Sequence, residues 1–376
     1  MVALKNMFRV DPLLLLAVLL LLGVGVVVIY SGSGPLAESK GLPSSFFMVS
    51  HLKKVVVGLI AMAIGLRIDH SIWLKWSRPF FIGCIILMIG VLGAGIAAHG
   101  AKRWLSIGGF DFQPSEFMKI ALFFVLAAKL AEAKEMIRDF RVGFSRPLLL
   151  VGAVFVLTML QPNFSMASLM FFTAIVMMYA AGTQVKHLLL IAAVGIPGAI
   201  ILAITSSYRL KRVLAFMDPT GHTGSSYQQT QSLISLGNGG MFGTGLGQGT
   251  QKLGYLPMPF TDTIYAILGE EMGFVGTTLV LGLFLVVLWR GFTIARHAQS
   301  RFGRNIAVAL STALGVTVVI HIGVCTRLLP ATGQPLPLVS FGGSSLVMTL
   351  FAMGVLLNVS NPDTGHEIKE SPGGLA

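Results

Sequence analysis

Asp262 is the residue of this sequence best placed to do chemistry. It ends a stiff approach, Leu256-Pro257-Met258-Pro259-Phe260-Thr261, and stands directly before a long apolar run. Prolines fix their own backbone angle. An acid at such a junction either caps the helix that follows or faces outward as a general base. Upstream, Tyr227, Gln228 and Gln231 lead into glycines at 237, 239, 240, 243, 245, 247 and 249. Backbone that dense in glycine can approach a ligand or another helix closely. No Gly-Lys-Ser/Thr follows, which sets aside a nucleotide-binding P-loop.

Other charged clusters lie at the ends of apolar runs. Lys102, Arg103 and Trp104 precede Gln113-Pro114-Ser115-Glu116, where Ser115 can cap a helix or Pro114 can open one. Glu116 and Lys119, three residues apart, share a helix face and either pair with each other or face a cavity. Arg209, Lys211 and Arg212 are close enough to hold a phosphate or pyrophosphate, and Lys252 adds a cation just ahead of Asp262. The last cluster runs from Arg327 through Pro337 to Ser344 and Ser345, with small residues that allow close packing. Glu270 and Glu271 fall inside an apolar run, where one is expected to pair with Lys119 or another cation. The Gln161-Pro162-Asn163 break reads as a turn, His321 as a hydrogen-bonded interior residue, and Cys84 and Cys325 as packing residues. No zinc-ligand spacing and no Ser-His-Asp order is present, although Asp262, Glu116, Glu270 and Glu271 are of the type that holds a hard divalent cation such as Mg or Mn.

These residues must be positioned by membrane helices. Of 376 residues, 54% are hydrophobic and 11% charged, whereas soluble domains carry about 25% charged residues. The net charge of +12 then reflects orientation rather than nucleic acid. Apolar windows fall at 12–30, 48–66, 79–98, 114–131, 147–161, 164–182, 186–206, 264–289, 305–326 and 339–359, about ten spans of the needed length. The first is long for a signal-peptide core and reads as an uncleaved span. Lys and Arg are about twice as frequent in the segments on the side of the N-terminus as in the alternate ones, which predicts both termini in the cytoplasm. The expected fold is therefore all-α, one polytopic membrane domain over 1–376. Its large extracytoplasmic loop, 206–263, joins the seventh and eighth spans, and 361–376 forms a cytoplasmic tail. Seven of the eight cations on the outer side cluster at 102–103, 209–252 and 327, where they can bind an anion or anchor at the interface. No internal repeat is visible, which disfavours an inverted-repeat transporter.

The clusters, in order, resemble a known family. GAKRWL (100–105), QPSEFMK (113–119), YRLKR (208–212), GLGQGTQKLGYLP (245–257) with Thr261-Asp262, and TGQPLPLVSFGGSS (332–345) are similar to the SEDS (shape, elongation, division and sporulation) proteins. The resemblance runs from about residue 10 to 360 and leans toward the division branch (FtsW) over the elongation branch (RodA). It implies a ten-span glycosyltransferase of the bacterial cytoplasmic membrane that polymerises peptidoglycan from lipid II. It places the proposed catalytic aspartate on Asp262, with Glu116 and Lys119 beside it in the site. It also suggests Lys102, Arg103, Arg209, Arg212, Gln231, Lys252 and Ser344 as substrate contacts. It further implies release of undecaprenyl pyrophosphate and partnership with a class B penicillin-binding protein and other division or elongation proteins. The chain departs from the family pattern in three places. Met258 and Phe260 replace a usual Glu and His, Asn163 replaces an Asp, and Phe341 replaces a Tyr. Two other readings stay open at this point: a lipid II flippase and a non-catalytic division scaffold.

Overall fold

The computed structural model describes residues 10–98, 101–107, 110–191, 193, 195, 198, 207–217 and 224–362. Helix α1 (Pro12–Ser39) starts where Pro12 occupies the first turn and the Asp11 carboxylate accepts from the Leu14 amide at 3.0 Å. It outlasts the apolar window because Ser31, Ser33 and Gly34 turn toward protein, so the change to polar residues does not end the helix. Then follow α2 (Phe46–Arg67) and α3 (His70–Ala94). Asp69 caps α3 through the Ser71 amide at 2.8 Å, which moves its start ahead of the expected 79.

The end of the span expected at 79–98 and the connection after it instead form a three-stranded antiparallel meander. Its strands are β1 (Ile96–Ala98), β2 (Ala101–Ile107) and β3 (Phe110–Phe112). The aromatic and β-branched residues Trp104 and Ile107 suit a strand. Arg103 ties it to the next helical corner, donating to the Gln161 carbonyl at 3.0 Å and to the Pro162 carbonyl.

Helix α4 (Pro114–Glu132) is buried along nearly its whole length. A 3-10 turn (Lys134–Arg138) and a π-helical turn (Phe140–Ser145) lead into α5 (Arg146–Leu160) and α6 (Phe164–Ala181). The π turn supplies the length that the short window at 147–161 lacked, and together Phe140–Leu160 reach 21 residues. Asp139 caps that turn through the Arg141 and Val142 amides at 2.8 and 2.9 Å. Those bonds hold its carboxyl below the usual carboxylate range. The span expected at 186–206 begins helically at 185–191, and most of its remainder lies outside the described residues.

The long connection holds α7 (Ser207–Met217) and α8 (Gly224–Gly239) before a run of turns. Helix α9 (Ile264–His297) is long and breaks at Gly273, whose φ of +66° is open mainly to glycine. Helices α10 (Arg301–Cys325) and α11 (Ser344–Ser360) complete the bundle. Among the described residues, seven helical segments are long and apolar enough to cross a membrane, and α11 is a shorter apolar helix. Helix α10 runs through the core beside α4, α6, α9 and α11.

The end of the bundle far from Asp262 is clamped by polar side chains. Arg290 Nε donates to Asp11 Oδ2 at 2.7 Å, and the Asp11 amide donates to Ser360 Oγ. Asn358 Oδ1 accepts from the His70 amide at 3.1 Å while its Nδ2 donates to the Leu66 carbonyl at 2.8 Å. With that end fixed, the loops at the other end are free to specialise. The tail from 363 lies outside the described residues.

Candidate active site

Asp262 does not cap α9. The residue in the cap position is Thr263, and its side chain makes no capping bond. Asp262 is half-buried, and its Oδ1 lies 3.0 Å from Thr261 Oγ1. That hydroxyl is also 2.9 Å from the Met258 carbonyl and, with one proton, donates to one of the two at a time. Among the described residues, no cation pairs with Asp262. Its carboxylate keeps most of its hydrogen-bonding capacity, which is what a proton acceptor requires.

The floor under Asp262 is the proline-rich segment 332–341. Gly333 has φ +69°, and a Cβ built there would lie 4.0 Å from Asp262 Oδ2. The segment is tied down from several directions. The Ala331 carbonyl accepts from Arg212 Nη1 at 2.8 Å, and the Gln334 carbonyl lies 2.9 Å from His321 Nδ1. Ser340 Oγ donates to the Thr261 carbonyl at 2.6 Å and accepts from the Leu336 amide at 2.8 Å. The Phe341 amide donates to the Phe260 carbonyl at 2.9 Å. Two positions where the family pattern has polar side chains are thus both phenylalanine. Their rings meet edge-on, 5.5 Å apart, with Phe47 against both.

Glu116 and Lys119 pair on α4 at 2.7 Å, with side-chain exposures of only 3% and 12%. Helix α4 starts with Gln113 in the cap position and Pro114 in the first turn. Ser115 is not the cap, and its hydroxyl accepts instead from Asn163 Nδ2 at 3.3 Å. The pair lines a narrow cavity of about 30 Å³ together with Thr317, Gln334 and Ser345. Gln334 follows Gly333, so Asp262 and the Glu116–Lys119 pair flank the same short segment. Ser344 accepts from the Gln113 amide at 3.2 Å and joins α11 to the start of α4.

A second cluster lies on the other side of α9. Lys252 Nζ pairs with Glu271 Oε1 at 2.6 Å and donates to Ser31 Oγ at 2.9 Å. Glu270 accepts from the Thr250 amide and hydroxyl (2.9 and 3.0 Å), from the Gln251 amide (3.2 Å) and from Ser235 (3.3 Å). Gly249 packs so closely that a Cβ there would come within 2.9 Å of Glu270 Oε2. The glycines therefore bring backbone onto two acids of the same chain. A cavity of about 540 Å³ opens beside this cluster, lined by Tyr30, Ser31, Glu38, Gln248 and Lys252.

The expected company of Asp262 is redistributed by these contacts. Lys252 is a buried partner of Glu271, not a cation beside Asp262, because a lysine taken out of water needs an acid within reach. Arg103 and Arg212 donate to backbone carbonyls and brace loops. The side chains of Lys102 and Arg209 lie outside what the structure describes. Gln231 is half-buried on α8, whereas its neighbour Gln229, which the sequence did not single out, holds the end of α10 through the Val324 and Leu329 carbonyls at 3.3 and 2.7 Å. Ser340 and Ser31 also carry contacts that no motif reading assigned. Among the described residues, no group of three or more His, Cys, Asp or Glu side chains could hold a metal ion. Glu116 and Glu271 are taken by lysines and Glu270 by the glycine loop, so of the four acids expected as donors only Asp262 stays open among the described residues, too few to form a dedicated cation site.

Comparisons with known proteins bear on the family and the fold. The sequence profile of the FtsW/RodA/SpoVE family, described as "Cell cycle protein", matches residues 12–364. The chain is 42% identical to stage V sporulation protein E of Bacillus subtilis over 353 residues, 93% of this chain and 96% of that protein. It is 39% identical to a probable peptidoglycan glycosyltransferase FtsW of Geobacter sp. (strain M18), again over 93% of this chain and 96% of the relative. Among solved structures, it is similar to a chain of a peptidoglycan synthase complex that coordinates polymerization and crosslinking. That likeness has a TM-score of 0.78 at 26% identity, covering 94% of this chain and 98% of the other. It is also similar to the rod shape determining protein RodA of Thermus thermophilus, with a TM-score of 0.70 at 26% identity and the same coverage.

Proposed function

This chain belongs to the FtsW/RodA/SpoVE family of cell cycle proteins, and we propose that it polymerises lipid II with Asp262 as the general base. It is a multi-pass bacterial membrane protein and a peptidoglycan glycosyltransferase. In the proposed step, Asp262 takes the proton from a sugar hydroxyl of the acceptor. The freed oxygen pair forms the new bond to the donor's anomeric carbon. The bond from that carbon to the pyrophosphate oxygen breaks on the opposite face, so configuration inverts and undecaprenyl pyrophosphate leaves. General-base assistance of this kind contributes about 10²–10⁴-fold.

The observation that carries this reading is the half-buried Asp262 carboxylate over Gly333, with no cation partner among the described residues. Glu116 and Lys119 act with it from across the 332–337 segment, where the lysine supplies positive charge for the departing pyrophosphate. No step is routed through a bound cation, for which the donor set is unsuited. The site opens on the outer face, with both termini in the cytoplasm, as the Lys and Arg distribution supports. A class B penicillin-binding protein supplies the crosslinking partner, a reading supported by the similar chain of the solved synthase complex. The names of the relatives favour division or sporulation. They do not favour a flippase or an inert scaffold. The test is glycan polymerisation by purified protein from lipid II in detergent, where transport cannot be scored. Asp262→Asn is expected to make no polymer, and full activity of that variant refutes the role.

A further inference from the structure

Asp262 is held by a residue far away in sequence. We propose that Ser340 is a positioning residue for the transfer reaction, setting the direction of the Asp262 carboxylate through the Thr261–Asp262 peptide. This rests on the reading of Asp262 as the general base.

Ser340 is 2% exposed, and its hydroxyl both donates to the Thr261 carbonyl at 2.6 Å and accepts from the Leu336 amide at 2.8 Å. The Thr261 carbonyl belongs to the same rigid peptide plane as the Asp262 amide. Fixing that oxygen fixes the plane from which the Asp262 side chain departs. The Phe341 amide holds the neighbouring Phe260 carbonyl at 2.9 Å, so two successive peptide planes before Asp262 are pinned by two successive residues of the 332–341 segment. The same segment passes Gly333 beneath Asp262 Oδ2. Ser340 therefore couples the carboxylate to the floor it sits on.

The local backbone shows why such a tie is needed. Met258 and Leu338, neither of them glycine, have φ of +47° and +65°. Such conformations are costly and persist only where surrounding contacts over-determine them. Ser340 bonds close to each of them, to the Thr261 carbonyl three residues after Met258 and to the Leu336 amide two residues before Leu338. Among the described residues, other hydroxyls near the site bond elsewhere. Ser344 bonds to the Gln113 amide and Ser165 to the Thr332 carbonyl.

The experiment is steady-state lipid II polymerisation by the full-length protein with Ser340→Ala, Ser340→Cys and Asp262→Asn, alongside thermal unfolding of each. Misaiming a catalytic group by a fraction of an ångström to an ångström costs up to about a hundredfold. Ser340→Ala is expected to lose about tenfold to a hundredfold in kcat with KM held within about twofold. Ser340→Cys, similar in size with a weaker donor, is expected to fall between it and the parent. Parental kcat in Ser340→Ala overturns the proposal, as does a loss confined to KM. A loss that follows a lower unfolding midpoint and vanishes at lower temperature also overturns it. If Ser340→Ala yields no folded protein, Ser340→Cys decides. Folded protein with reduced kcat supports the proposal, whereas parental kcat or failure to fold overturns it. An active Asp262→Asn overturns the general base, whereas inactive Asp262→Asn beside fully active Ser340→Ala overturns only the positioning role.

Discussion

Two groups of acids sit at the same end of the bundle, and their surroundings separate them. Glu270 and Glu271 are 0% and 2% exposed. One is filled by hydrogen bonds from the glycine loop, and the other is paired with Lys252 and bonded to Ser31. Asp262, a few residues away in sequence, is half-buried and, among the described residues, has only the neighbouring Thr261 hydroxyl in bonding distance of its carboxylate. Glu270 has its capacity spent inside the protein and Glu271 is shut away from solvent with Oε2 left without a hydrogen bond, whereas the capacity left on the half-buried Asp262 is what a substrate proton can use. Glu116 stands between the two cases, buried and paired with Lys119 yet lining a cavity.

The largest stability effect is expected at the buried pair. Lys252→Met leaves the Glu271 carboxylate without its cation, and removing one partner of a buried pair costs about 3–5 kcal/mol. The unfolding midpoint of the purified protein should fall steeply, and adding Glu271→Gln should restore much of it. An unchanged midpoint would break the contrast with Asp262. Lys119→Met should cost less, nearer about 3 kcal/mol, because the cavity gives Glu116 a route to water, and it should also lower polymerisation. The same midpoint measurement and the lipid II assay check both parts. Gly249→Ala should cost about 1–3 kcal/mol through overpacking on Glu270, read as faster amide hydrogen exchange over residues 243–253. Parental exchange there would mean that the loop is not held by that acid.

Sequence and structure agree where length and hydropathy dominate. Each expected span except the one at 186–206, which lies mostly outside the described residues, falls on a helix of the fold. Boundaries drifted where polar residues meet protein instead of lipid. The Ser31–Ser39 turns of α1 and the π turn ahead of α5 are helical for reasons no hydropathy window records. Asp262 was legible because an acid at the mouth of an apolar run has few neighbours in sequence that could absorb it. The fate of Lys252 was not legible, since a cation carries no mark of the glutamate 19 residues later that it will meet. Ser340 was less so, because it acts on a backbone carbonyl 79 positions away. Met258, Phe260 and Phe341 looked like losses of polarity near the site. In the fold, Phe260 and Phe341 pack against each other, which makes their replacement a joint apolar contact.

On this reading Asp262 is set apart for chemistry, while its acidic neighbours hold structure. The most direct test compares Asp262→Asn with Lys252→Met at a temperature where both remain folded, scoring glycan polymer from lipid II and the unfolding midpoint of each. Asp262→Asn is expected to give no polymer at a parental midpoint, and Lys252→Met to retain polymer at a lowered midpoint. Polymer from Asp262→Asn at the parental rate would contradict that reading.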